Sequence, residues 1–252
     1  MKLPVSFLLA AAILPMATAA KADLQVRLPH VDWGELEFEH NGLVTFAAKG
    51  SPGDRAGSFT NSIAYGLTPW WKIELEAEAA TAPGRSATWN ATTLENTFQL
   101  TERGQYMFDA GFFMEYSHAT GKGADSVKFG PILHREINNV FGIDTAHTLN
   151  VFVARDVGPN ASRDTKLQMA WQSVARLHPL FAPGIEYFAE IAKVAHTGTY
   201  DQQQHFVGPV LTGAQSFAPF GKLKYQVGYL FGTTTATPKS AIRWKLEYEI
   251  RF

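Results

Sequence analysis

The chain has 252 residues, 22 Lys and Arg against 23 Asp and Glu, a net charge of −1 and no cysteine. That balance offers no basic surface for nucleic acid, and an exported chain without cysteine must be held by packing and hydrogen bonds, not disulfides. After the N-terminal stretch no apolar run reaches the roughly eighteen residues of a spanning helix, so a place in a membrane would require a closed barrel.

Met1 and Lys2 make a short basic start, and Leu3 to Met16 is an apolar run broken by Pro4 and Pro15. Small residues follow through Ala22, so residues 1–22 read as a secretory signal peptide cleaved after Ala19 or Ala22. The run is too short to cross about 30 Å of hydrocarbon. Residues 23–33 are expected as a periplasmic N-terminal segment, and residues 34–252 as one folded unit, since no linker or shift in composition divides them.

From there the chain reads as short alternating segments between turn residues. The first strand, 34–48, sets Leu36, Phe38, Val44 and Phe46 against Glu35, Glu37 and Glu39. The second, near 59–67, has Phe59, Ile63, Tyr65 and Leu67 on one face and small residues on the other. The third sets Trp71, Ile73 and Leu75 against Lys72, Glu74, Glu76 and Glu78. In the fourth, 86–101, Trp89 and Ala91 share a parity that Phe98 and Leu100 do not, which predicts a bulge near Thr93.

The fifth strand carries Tyr106, Phe108, Ala110, Phe112, Met114 and Tyr116 in one row. Pro131 in the sixth predicts a bulge or an unpaired position. A long connection, 137–147, is expected before the seventh strand near 148–156. The eighth, 165–177, has Leu167, Met169 and Trp171 opposite Lys166, Gln168, Gln172 and Arg176; the ninth has Ile185, Tyr187 and Ile191 opposite Glu186 and Glu190. The tenth repeats the sixth strand's Gly-Pro at Gly208-Pro209, and the eleventh sets Leu223, Tyr225, Val227 and Tyr229 against Lys222, Lys224 and Gln226. Ile242 to Phe252 closes the chain: Ile242, Trp244, Leu246, Tyr248, Ile250 and Phe252 alternate with Arg243, Lys245, Glu247, Glu249 and Arg251.

That final alternation ending on Phe252 resembles the C-terminal signature of Gram-negative outer-membrane β-barrels, in which Trp244, Leu246, Tyr248, Ile250 and Phe252 would be the signal read by the assembly machinery. The resemblance implies an all-β, up-and-down antiparallel transmembrane barrel, here of about twelve strands, in the cell outer membrane. An even count lets first and last strands pair, and connections after even strands are mostly the tighter ones, as periplasmic turns are. The Gly-Pro strands and the closing GKLKYQVGYLFG and WKLEYEIRF also resemble porin-like transporters, including the MetA-pathway phenol-degradation group. A secreted β-sandwich is the other fold with such alternation, but its apolar rows would face inward.

On the barrel reading the apolar rows meet lipid and the polar rows line a lumen. The acidic lining is Glu35, Glu37, Glu39, Glu74, Glu76, Glu78, Glu186, Glu190, Glu247 and Glu249; the basic lining is Lys72, Lys166, Arg176, Lys222, Lys224, Arg243, Lys245 and Arg251. Acidic and basic walls would favour small polar or zwitterionic solutes in passive diffusion. Alternatively the charges pair across the bore and fill a non-conducting barrel. A lipid hydrolase is a third reading, from Tyr116-Ser117-His118, but adjacent strand residues face opposite ways, so Ser117 and His118 cannot form a nucleophile–base pair. The expectation is therefore a non-enzyme with no cofactor and no metal site, its histidines and methionines being dispersed. Its expected partners are membrane lipids, the assembly machinery and small polar solutes.

Overall fold

A computed structural model describes residues 24–51 and 53–251; the expected signal peptide and Phe252 lie outside them. Twelve antiparallel strands follow one another: β1 (Glu35–Phe46), β2 (Ala56–Thr68), β3 (Trp71–Thr81), β4 (Thr88–Gln99), β5 (Asp109–Ala119), β6 (Asp125–Val140), β7 (Ile143–Val157), β8 (Thr165–Ala175), β9 (Ala182–Ile191), β10 (Gln204–Ser216), β11 (Lys222–Gly232) and β12 (Ser240–Arg251). Each pairs with its sequence neighbours, and β1 pairs with β12 from Glu35↔Arg251 to Phe46↔Ser240, closing the barrel. Strands of 10 to 16 residues meet or exceed the roughly 9–11 that a tilted strand needs to cross a bilayer.

Residue parity decides what faces where. Phe38, Ile63, Leu75, Leu94, Met114, Phe129, Ile185, Val227 and Leu246 are exposed, while Glu37, Glu76, Glu95, Lys128, Glu186, Arg243 and Glu247 are buried. Apolar side chains on the outside and charges on the inside invert a soluble sheet, as a barrel in lipid requires. At the end where β2 turns into β3, Trp70, Trp71 and Phe98 stack with ring centroids 6.2 to 6.4 Å apart, an aromatic patch of the kind found at a membrane interface.

Three local expectations change. The bulge in β4 falls at Asn90, because Glu78 pairs with Ala91 and Ala79 with Trp89, so Trp89 points out and Ala91 in. Tyr106 and Phe108 precede β5 rather than join its outward row; residues 100–108 form a loop, and Phe108 lies under the Arg135 guanidinium at 5.7 Å. No long connection spans 137–147. Instead β6 and β7 run on to a tight turn in which Asn139, Phe141 and Gly142 take positive φ, with one register slip between Ile137 and Val140. Asn and Gly tolerate that left-handed backbone, which the apolar run of this hairpin concealed.

Pro131 and Pro209 sit in unbroken register, unpaired on the β7 and β11 sides respectively. A Cβ on the preceding Gly130 or Gly208 would fall 2.1 or 2.0 Å from a carbonyl oxygen of the neighbouring strand, so glycine lets that strand approach where proline makes no bond.

The lipid face yields a direct test. Leu246→Arg, at mid-strand on the outer surface, is expected to cost about 2–4 kcal/mol in urea-dependent folding into liposomes. An unchanged unfolding midpoint would contradict the outward assignment.

Candidate functional site

The interior is organised around residues 24–33, which run inside the barrel instead of trailing from it. The segment leaves β1 through a turn in which Gly34 N–H donates to the Gly66 carbonyl (2.9 Å) and Glu35 N–H to the Asp32 carbonyl (3.2 Å). Two inward glycines make room for its backbone. A Cβ on Gly66 would lie 2.0 Å from the Asp32 oxygen, and one on Gly111 would lie 2.7 Å from Pro29 Cβ. Higher up, Leu24 and Gln25 border a cavity of about 30 Å³ with Gln168, Glu190 and Gln204, near the opposite ends of β8, β9 and β10. The ten residues thus follow much of the barrel's length.

Both backbone and side chains hold the segment. The fully buried Asn150 accepts the Arg27 N–H through Oδ1 (2.7 Å) and donates through Nδ2 to the Arg27 carbonyl (2.8 Å). Gln99 Oε1 accepts the Val31 N–H at 2.8 Å. The Arg27 guanidinium bonds Glu95 through Nε (3.2 Å) and Nη2 (2.6 Å), and its carbon sits 4.5 Å above the Phe113 ring. His30 bonds Asp109 at 2.8 Å and meets the His134 ring edge-on at 5.0 Å. Val26 packs into an apolar set with Leu43, Ala170, Phe188, Phe206, Leu230 and Ala241. The packing is uneven: Val26, Pro29 and Val31 are buried, while Leu28 keeps 45% of its surface exposed.

Sheet closure places the acidic and basic rows side by side. Because β1 neighbours β12, Lys245 bridges Glu39 and Glu247 (2.9 Å to the latter), Lys224 bridges Glu247 (2.9 Å) and Glu249, and Lys72 bonds Glu37 at 2.7 Å. Opposed walls with a field between them are therefore not what these residues form; they interleave along β1, β3, β11 and β12. Glu74 accepts a hydrogen bond from Ser62 at 2.5 Å, and Glu76 and Glu78 are buried on the same row. At the β1 start, Glu35, Glu37 and Glu249 each bring an oxygen within 4.8 Å of the others, with Lys222 3.5 Å from Glu249.

Other anticipated lumen residues occupy different places. Arg243 Nε donates to Glu186 at 2.6 Å, Gln172 to the same carboxylate at 2.6 Å, and Arg243 Nη2 to Gln226 at 3.0 Å, a buried network along β8, β9, β11 and β12. Glu190 accepts from Gln168 at 2.8 Å, and Lys166 pairs with Asp156 at 3.3 Å. Arg176 lies past the end of β8, where it pairs with Glu136 (2.5 Å) and both remain half exposed; it belongs to the rim. Arg251 is exposed at the last residue of β12. Ser117 faces inward, bonded to Thr93 at 2.9 Å, while His118 is exposed and bonds Asp125 at 2.9 Å. The two point apart.

Outside the strands, Asp32 and Asp164 carry charge-stabilised carboxyls. Burial works to raise Asp32, but the hydrogen bond and charge of Arg103 (2.7 Å) outweigh it and hold the carboxyl below its ordinary value. Asp164 is lowered chiefly by its bond to Lys193 (2.9 Å).

Sequence patterning missed the segment and the apolar wall it rests on. Phe113, Ile132 and Phe152 form a second buried cluster on the inward rows of β5, β6 and β7. Phe112-Phe113, Val151-Phe152-Val153 and Tyr187-Phe188 are apolar on both faces. A strand greasy on both sides needs lipid on one and something packed on the other, and that signal was available.

Two outcomes follow from this geometry. Gly111→Leu should drive Pro29 off the wall, so that trypsin cleaves after Arg27 in folded barrel; protection equal to the parent's would show that the glycine makes no room for the segment. Because the Asp32 carboxyl is depressed, its pairing stabilises above the unfolded value near 3.9 and is lost as pH falls through the lower folded value. With both partners partly exposed the effect is small, about 0–1 kcal/mol, and Arg103→Gln should remove it from acid-unfolding curves.

No protein-family model and no curated protein matches the chain. Solved structures do. An outer-membrane channel from Pseudomonas putida F1 aligns with TM-score 0.52 at 13% identity, over 92% of this chain and 98% of its own. The NanC porin aligns with TM-score 0.50 at 11% identity, over 85% of this chain and all of its own. At such identities the likeness is one of fold. Joined to an apolar outer surface and a closed sheet, it gives this chain the fold of the solved outer-membrane β-barrels it aligns with.

Proposed function

We propose that the chain is a porin-like conduit for small polar solutes, narrowed in the described conformation by its own N-terminal segment. One observation supports this above others. The obstruction is a strip of chain held by side-chain contacts, chiefly Arg27 to Glu95 and Asn150, and not a strand of the wall. It can leave without breaking a rung of the barrel. The turn end would then face the periplasm, with 24–33 entering from that side. Membrane lipids would meet the outer rows, and the assembly machinery would read the closing strand.

A second reading has its own support. The Glu186–Arg243 network is buried and wholly partnered, as expected of a lumen filled for stability alone.

Planar-bilayer recording separates the two. The parent chain should show small or rare currents, and Arg27→Glu, which sets a carboxylate against Glu95, should conduct more and for longer. If both proteins insert, by heat-modifiable gel migration and protease protection, yet neither conducts, the non-conducting barrel is the correct reading.

A further inference from the structure

We infer that the wall beneath residues 24–33 is a binding groove for extended peptides, selective for an apolar residue followed directly by arginine. The inference rests on the proposed mobility of the segment and names the ligand class of the site it vacates.

The contacts are of the kind that read a peptide. Asn150 engages both the N–H and the carbonyl of one residue, at 2.7 and 2.8 Å, so it grips extended backbone whatever the side chain. Gln99 Oε1 accepts one further backbone bond, from the Val31 N–H four residues on, at 2.8 Å. Filling space would not need such clamps; apolar side chains would do it without leaving amides to satisfy. Selectivity comes from two adjoining pockets. One is the apolar set around Val26, built by Phe188, Phe206 and Leu230. The other is Glu95 with the face of Phe113, a carboxylate and an aromatic plane that suit a guanidinium better than an ammonium. Gly66 and Gly111 keep the floor low enough for a main chain to lie on it.

When the segment withdraws, both halves of the Asn150 amide lose the Arg27 backbone that meets and covers them. A buried polar group in that state is costly, so the groove must take up water or another backbone. A peptide of matching pattern offers the backbone together with both side-chain anchors.

The test uses the full chain refolded in lipid vesicles, with Arg27→Glu to free the groove and Arg27→Ala as a second variant should the first not fold. The probe is a fluorescein-labelled peptide with the sequence of Leu24–Val31, compared with the same peptide carrying Glu in place of Arg. Fluorescence anisotropy should show the arginine peptide binding the freed barrel roughly tenfold or more tighter than its glutamate counterpart, the scale of one charged hydrogen bond. Adding Asn150→Ala should weaken both peptides by a similar factor, since the backbone clamp is common to them. The arginine peptide should also block the current of the freed barrel. Equal weak binding of the two peptides to a barrel whose conductance has risen would overturn the groove while leaving the conduit intact. A variant whose segment stays protected from proteinase K and whose conductance stays at the parent's level would remove the mobility on which both depend.

Discussion

Every backbone N–H and carbonyl that faces lipid must find its partner within the protein, and that requirement governs this chain from end to end. Twelve strands can meet it because β12 returns to β1 and leaves no edge. Closure then fixes the sign of each side chain. With register set from Glu35↔Arg251 onward, odd positions in β1 and β12 turn inward together; Glu37 and Glu39 stand opposite Glu249 and Glu247, and Lys245 reaches diagonally to Glu39 between them. Burial of so many charges follows from the closure, and pairing is what makes that burial tolerable.

The same closure explains why the lumen is asymmetric. Lysine–glutamate pairs crowd β1, β3, β11 and β12, while β5 to β10 turn Phe113, Ile132, Phe152, Phe188 and Phe206 inward beside fewer buried charges, Lys128 with Glu115 and Glu186 among them. Residues 24–33 lie against the apolar side with Val26 and Pro29 buried, and set Arg27 on Glu95 of the adjoining β4. An amphipathic wall has drawn in an amphipathic strip of its own chain.

Alternation made the barrel legible in the sequence, because period two is imposed by strand geometry and the lipid face demands grease at every second residue. β3 and β12 show it without interruption. Where the pattern failed, another constraint had taken over. The β6–β7 hairpin was expected as a long connection over 137–147, yet both strands run on to a tight turn in which Asn139, Phe141 and Gly142 take left-handed φ. The bulge at Asn90 was anticipated by the parity change but misplaced, since Thr93 and Ala91 both face inward on either side of nothing the sequence marks. The segment was expected in the periplasm, and nothing in LQVRLPHVDW names the wall it packs on. Its place is set by tertiary partners far away in sequence, Glu95 and Asn150 above all, which no local pattern announces.

Opening such a lumen is a question of wetting as much as of motion. Detaching Arg27 exposes Glu95 and Asn150, which welcome water, but it also bares Phe113, Ile132 and Phe152, which do not. Each partial release therefore leaves a dry polar group or a wet apolar one, and either is unfavourable. Complete withdrawal hydrates the polar groups at once, though it leaves the aromatic wall wet, and complete seating covers both. Intermediate positions have neither compensation. The segment should accordingly behave as a two-position element, and the two inward glycines that admit its backbone at Asp32 and Pro29 set where the seated position lies.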